Sequence, residues 1–330
     1  MIEENPKNIE VLFPYINGED LNTHPEQKES RWVINFWDWS LEHVQKEYPE
    51  LLAIVEEKVK PERDRLSDTN SNGRRRKQFW WQYGEKCLGL YHTIGRGHAF
   101  EKHPKGWQKD KQPMERILAL ALTSKSLTFV LRENDAVFSH ATGVFIFSRY
   151  SDFAIMQSSI HEAWSRKMAS TLETRLRYTP SDCFDTFPFP VFLVDLESIG
   201  EAYHELRASI THSEWIGLTN LYNRFHSPDE TNERIIELRE LHRRMDEAVA
   251  AAYGWDDLEL GYDFHAVGYL PENDRIRFTI SEKTRIEVLR RLAILNRERY
   301  NEENPAGQSK KKGKTAKRAK TQSMMIIEEE

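Results

Sequence analysis

The stretch Arg177-Tyr178-Thr179-Pro180-Ser181-Asp182-Cys183-Phe184-Asp185-Thr186-Phe187-Pro188-Phe189-Pro190 separates two kinds of sequence in this chain. Each proline lacks a backbone donor and pushes its predecessor into extended geometry, so two Phe-Pro pairs suit neither a helix nor a central strand. The stretch predicts an extended strap anchored by phenylalanines in a seam between subdomains, after a turn at Thr179-Pro180-Ser181. Phe187 and Phe189 are expected to project to opposite sides of it, one toward each subdomain.

Downstream of Pro190 the pattern is helical. Ser227-Pro228-Asp229-Glu230 predicts a capping box with proline at the first helical position. Ile235, Leu238, Leu241, Met245 and Val249 then form one stripe, closed by Gly254. Glu230/Arg234 and Glu240/Arg244 have the spacing of supportive pairs on the wet side. A second helix is expected from Ser281 to about Tyr300.

Upstream, Ile117–Leu122 and Leu127–Leu131 flank Thr123-Ser124-Lys125-Ser126 as a hairpin. Val137-Phe138 and Val144–Phe147 continue the β pattern. Asp152 is expected to cap a helix carrying Phe153, Met156, Ile160 and Trp164 on one face. Nearer the N-terminus, Trp32–Phe36 alternates as a strand, and Ser40 is suited to cap a helix with Leu41, Val44 and Tyr48. Leu51, Leu52, Val55 and Val59 repeat at helical spacing until Pro61, and 64–77 reads as a polar, basic loop. The sum is an α+β protein: a linker at 1–30, a mixed β-rich module at 31–190, a long-helix spacer subdomain at 191–303 and a disordered Lys-rich tail at 304–330.

Composition bounds the function. At 330 residues, 39% hydrophobic and 30% charged, the chain falls in the soluble globular class and can bury a sizeable core. No apolar run approaches membrane-spanning length and the acidic N-terminus has no signal-peptide core, which predicts a cytoplasmic location and no membrane partner. Cys87 and Cys183 are far apart without metal-ligand spacing, so free thiols are expected rather than a disulfide or a zinc site. Net charge is −6, yet residues 309–320 carry seven cations and no acid. A local basic face suffices for a polyanion, since its field is felt over about one Debye length, roughly 10 Å.

No catalytic, cofactor-binding or metal constellation emerges. Gly95-Arg96-Gly97 lacks the third glycine and a preceding buried strand, so it is a poor phosphate cradle. Asp20 with Glu26-Gln27-Lys28 mimics a nuclease spacing that arises by chance in so charged a chain.

The string at 177–190 resembles the segment that follows the target recognition domain in bacterial DNA adenine methyltransferases of the combined restriction–modification type, the MmeI-like group and its relatives in phage-defence systems. Val11-Leu12-Phe13-Pro14-Tyr15-Ile16-Asn17-Gly18-Glu19-Asp20-Leu21-Asn22 is similar to the opening of that region. So, in order, are Arg31-Trp32-Val33-Ile34-Asn35-Phe36-Trp37-Asp38-Trp39, Val55-Glu56-Glu57-Lys58-Val59-Lys60-Pro61-Glu62-Arg63, Trp80-Trp81-Gln82-Tyr83-Gly84 and Leu127-Thr128-Phe129-Val130. The resemblance implies sequence-specific recognition of double-stranded DNA on behalf of an adenine-N6 methyltransferase or restriction–modification enzyme, with the long helices as spacer. It implies S-adenosylmethionine on a methyltransferase domain or subunit, not on this chain. The family's Asn-Pro-Pro-Tyr/Phe motif is missing, because Asn5-Pro6-Lys7 and Asn304-Pro305-Ala306 continue differently. Two alternatives stand beside this: an inactive remnant of a split methyltransferase gene, or a nuclease of unfamiliar type using carboxylates such as Asp20, Glu56 or Asp182.

Beside such a module, Arg74-Arg75-Arg76-Lys77 followed by Phe79, Trp80, Trp81 and Tyr83 combines cations with flat rings. Arginine gives bidentate contacts to phosphate or guanine, and lysine a point charge. The structural alternative is a solvated basic loop beside packed tryptophans. Arg96, His98, Lys102, Lys105 and Lys109 continue the sign. Lys125 at the hairpin tip and Arg132 are further candidates for reaching a groove, and Tyr178, Thr179 and Ser181 for donating to phosphate oxygens.

Overall fold

The computed structural model describes residues 1–102, 106–108, 110–172, 175–191 and 196–304. The expected tail beyond Asn304, and Lys105 and Lys109, lie outside the described residues.

Strand β1 (Leu12–Ile16) lies between β2 (Arg31–Ile34), to which it pairs antiparallel, and β6 (Val137–Phe138), to which it pairs parallel. Pro14 is tolerated in this middle strand because β6 pairs only with Tyr15 and Ile16, past the missing donor. Helix α1 (Gly18–Thr23) follows a capping box in which Asn17 and Asp20 satisfy each other's backbone donors. Ser40 caps α2 (Leu41–Glu47) as expected, accepting from the His43 amide at 3.2 Å. In α3 (Pro49–Lys58), Leu51, Leu52 and Val55 close a small N-terminal core on Val11, Phe36, Val44 and Tyr48. Pro61 falls in the first turn of α4 (Lys60–Asp64), where its missing N–H costs nothing. The basic loop expected at 64–77 is corrected: Ser71–Gln78 is helix α5, begun by Asn70, whose side chain accepts from Gly73. A short α6 (Leu88–Thr93) follows.

The hairpin is present. Strand β3 (Arg116–Ala121) sits between β5 (Phe129–Glu133) and β7 (Thr142–Phe145), antiparallel to both. Its turn region is used twice, because β4 (Thr123–Ser124) joins a second sheet with β9 (Arg175–Arg177) and β8 (Ser170–Leu172). The single helix expected from Asp152 is instead two, α7 (Tyr150–Gln157) and α8 (Ser159–Met168). Ser158 turns the chain and its hydroxyl accepts from His161. Asp152 does not cap; it pairs with Arg149 at 2.9 Å. Ser151–Gln157 are all buried, so no single face carried the core.

The strap is also corrected. Pro180 starts one helical turn, α9 (Pro180–Cys183), which Thr179 opens by accepting from the Asp182 and Cys183 amides. Phe187 and Phe189 do not diverge. Their rings meet edge-on with centroids 5.0 Å apart, in one cluster with Phe184. The segment does join both halves: Tyr253 donates to the Pro188 carbonyl at 2.8 Å and Arg299 to that of Phe189 at 2.6 Å.

Beyond it lie α10 (Leu196–Glu214), α11 (Leu218–Phe225), α12 (Glu233–Ala252) and α13 (Glu282–Glu303), with a hairpin of β10 (Asp263–Ala266) and β11 (Ile276–Thr279) that the sequence pattern did not reveal. Helix α12 starts five residues after Pro228, capped by Asn232, because Glu230 is engaged by Arg224 and by the Asn232 amide. Arg234 donates to Ser209 and Ser213 rather than Glu230, and Glu240 pairs with Arg243 rather than Arg244. Gly254 closes α12 at φ +73°, as its lack of a Cβ allows. Ser281 caps α13 as expected.

The class is α+β. The main core runs from Ile16 through Phe129, Phe145 and Trp164 to Val249 and Leu292. It crosses residue 190 without interruption, with α10 packed on α7 and α13 on α8. The module expected at 31–190 and the helices expected at 191–303 therefore share this core as well as the strap.

Candidate nucleic-acid interface

The strand β9 carries the clearest cationic surface. Leu176 is buried between the exposed Arg175 and Arg177, and the two-residue period of a strand sets both guanidinium groups on the same outward face. Neither arginine has an ion pair with a described residue. Thr123 on β4 lies opposite Arg177 in the register, so a small hydroxyl rather than an acid is its cross-strand neighbour. These arginines were missed in the sequence reading, although Arg-Leu-Arg before the Phe-Pro stretch has the alternation of a half-buried strand.

The residues singled out from sequence fall in different places. Tyr178, next in line, turns inward: it is 2% exposed and its hydroxyl meets His161 Nε2 at 3.0 Å. Burial pushes its pKa well up, so it stays a neutral partner inside the core. Thr179 serves the backbone of α9, and Ser181 lies on that helical turn beside Asp182. Arg96 is buried, donates to the Ala136 carbonyl at 2.5 Å and lies over the rings of Phe13 and Tyr91. It knits β1 to the 136–138 segment and offers no guanidinium face to a groove. Arg132 is held by Asp135 at 2.7 Å and covers Phe138. Lys125 is at the hairpin tip, yet Asp274 engages it at 2.9 Å and Asn223 at 3.0 Å. The β10–β11 hairpin therefore anchors that tip.

Helix α5 carries the cations at 74–77. Arg74 donates to the Asp68 carbonyl at 2.7 Å, and Lys77 pairs with the Asp68 carboxylate at 3.1 Å. Arg75 reaches the Gly84 carbonyl at 3.1 Å, and Arg76 lines the same cleft. Trp80 and Trp81 are half-buried: Lys60 covers Trp80, and the Trp81 indole donates to the Trp39 carbonyl.

The glycines at 95 and 97 do not fit a cofactor's phosphates. A Cβ at Gly95, where φ is +81°, would stand 2.4 Å from the Gln112 carbonyl oxygen, and one at Gly97 2.7 Å from His92 and Trp107. Both are occupied by close internal packing rather than open to a ligand. Among the described residues there is no cluster of three or more His, Cys, Asp or Glu side chains arranged for a metal ion. Cys87 and Cys183 are both free thiols, and burial raises each to a pKa of about 12. No described helix is long and apolar enough to cross a membrane.

Comparison with known proteins places the β9 surface inside a recognised unit. Residues 98–191 match the family model of the MmeI target recognition domain. The fold is similar to the solved structure of the Type IIL restriction-modification enzyme MmeI in complex with DNA, with a TM-score of 0.56 at 17% sequence identity. That likeness covers 91% of this chain and 32% of the other, so this chain spans about a third of that protein's length. No curated protein matched the sequence. The chain thus carries an MmeI-like target recognition domain on an α+β fold.

Proposed function

We propose that this chain is the DNA-recognition module of a restriction–modification enzyme, reading duplex DNA through the surface around β9. The carrying observation is that the segment matched to a target recognition domain presents two outward arginines with no ion pair to a described residue. Arginine's planar fork suits both phosphate oxygens and the guanine edge in the major groove. The chemistry delivered to the site is adenine-N6 methylation, in phage defence, with S-adenosylmethionine and the reactive centre on a separate methyltransferase domain or subunit. The experiment is selection of bound duplexes from a random-sequence pool by the purified chain. Enrichment of one short motif supports the reading, and recovery of an unenriched pool rejects it.

A further inference from the structure

The cleft between α4, α5 and the loop at 82–86 holds a charge arrangement that the recognition surface does not use. It is lined by Arg63, Arg75, Arg76, Phe79, Gly84 and Lys86, among others, and lies outside the matched segment 98–191. Arg63 donates to the carbonyls of Phe79 at 3.3 Å and Gln82 at 2.7 Å. Arg75 donates to the Gly84 carbonyl, and Lys86 to the side-chain carbonyl of Gln82. These partners are all neutral, so hydrogen bonding satisfies the donors without cancelling their charge. The acid that acts on Lys86 is Asp38, whose two oxygens already accept from the Glu101 and Lys102 amides.

Like charges gathered in a partly desolvated cleft oppose one another. Burial, then the nearby Arg76 and Arg75, lower the Arg63 pKa, and burial followed by Arg75 lowers that of Lys86. Gly84 leaves the floor open: an added Cβ would stand 3.6 Å from an Arg63 nitrogen and 3.5 Å from Arg76 Nε. A bound anion would relieve the repulsion and accept from several fixed donors at once.

We propose that this cleft is a seat for a single phosphate group, held chiefly by Arg63, Arg75 and Lys86 over Gly84. Its occupancy by a phosphate of a DNA strand rests on the function proposed above; occupancy by phosphate itself does not. A strand phosphate anchored here would act as a second, sequence-independent point of attachment beside the β9 surface.

The test follows thermal melting of the full chain in inorganic phosphate against chloride of equal ionic strength, and the salt dependence of duplex binding. Phosphate stabilises proteins generally, so each seat variant is read against Lys167→Gln, an exposed-lysine control that keeps the seat and should shift as the wild type does. Lys86→Gln should lose the part of the shift that is specific to the seat. Gly84→Asp should lose it too while melting higher than wild type without phosphate, since its carboxylate would fill the seat. If a strand phosphate is the occupant, Lys86→Gln should also flatten the log–log salt slope by up to about 0.9. An unchanged slope with the phosphate effect lost assigns the seat to a free phosphate. Equal phosphate shifts in all variants and the control overturn the seat. Failure of the wild-type chain to bind duplex DNA would reject the proposed function, and the phosphate arm would still decide this inference.

Discussion

Arg207 on α10 donates to the carbonyl oxygen of Phe129 on β5 at 2.8 Å, from a position only 3% exposed. Gln157, which also contacts Arg207, closes the same place by accepting from the Phe129 amide and donating to the Leu127 carbonyl. The two halves of the sequence are thus joined through buried hydrogen bonds as well as apolar contact. Arg207→Met should cost about 2–3 kcal/mol in chemical denaturation, because it orphans a buried carbonyl that a charged donor satisfied. Unfolding should remain a single transition, and a fragment of residues 98–191 alone should show no cooperative melt.

Arg175→Gln and Arg177→Gln should leave the melting curve in place, since both side chains are exposed and lack described ion pairs. Each should weaken duplex binding, and a lost phosphate contact should flatten the salt slope by about 0.9 log–log units. Binding titrations at several salt concentrations check this. Unchanged affinity in both variants would move the DNA to another face.

Phe187 is 4% exposed and packs edge-on against His161 at a centroid distance of 4.5 Å. Phe187→Ala should cost about 3–5 kcal/mol, as buried phenylalanine truncations do. Phe189 is half-buried, so Phe189→Ala should cost less. Equal losses in denaturant titrations would contradict the burial difference.

Burial depresses the pKa of His161 to about 3, against an ordinary value of 6.5. This base stays neutral in the fold and takes up a proton on unfolding. Its contribution is therefore intact above pH 6.5 and is lost as pH falls toward 3, by about 1.4 kcal/mol per pH unit. Unfolding free energies measured from pH 7 to 4.5 should fall less steeply in His161→Gln than in the wild type. Parallel pH dependences would mean the imidazole protonates in place.

Calorimetric titration of the isolated chain with S-adenosylmethionine should show no heat above dilution, because Gly95 and Gly97 are closed by internal packing. A micromolar dissociation constant would show that the chain holds a cofactor site of another design.

Much of the architecture was legible where local chemistry decides it. Ser40 and Ser281 capped the helices they preceded, Gly254 ended one, and the apolar runs at 117–122 and 127–131 around a turn gave a hairpin. Misreadings arose where a distant group intervened. Glu230 was recruited by Arg224, which moved the cap of α12 to Asn232. Ser158 broke a helix whose residues are buried all round and so show no face. The site suffered more, since charge alone says nothing of exposure: Arg96 is an interior strut over two rings, while Arg175 and Arg177 flank a buried leucine. That distinction depends on which strand Leu176 pairs with, and β4 lies some fifty residues earlier.

The parallel pairing of β1 with β6 also orders events during synthesis. Tyr15 and Ile16 leave the ribosome long before Val137 and Phe138. At about 5–20 residues per second, the roughly 120 intervening residues take some 6–24 s to emerge. During that interval β1 has only its antiparallel neighbour β2, and one edge of the nascent ribbon is bare. Pro14, with no N–H to offer, sits on that strand and shortens the ladder a second nascent chain could extend. Until the middle of the sequence arrives, that edge thus offers one backbone donor fewer than a strand without proline would.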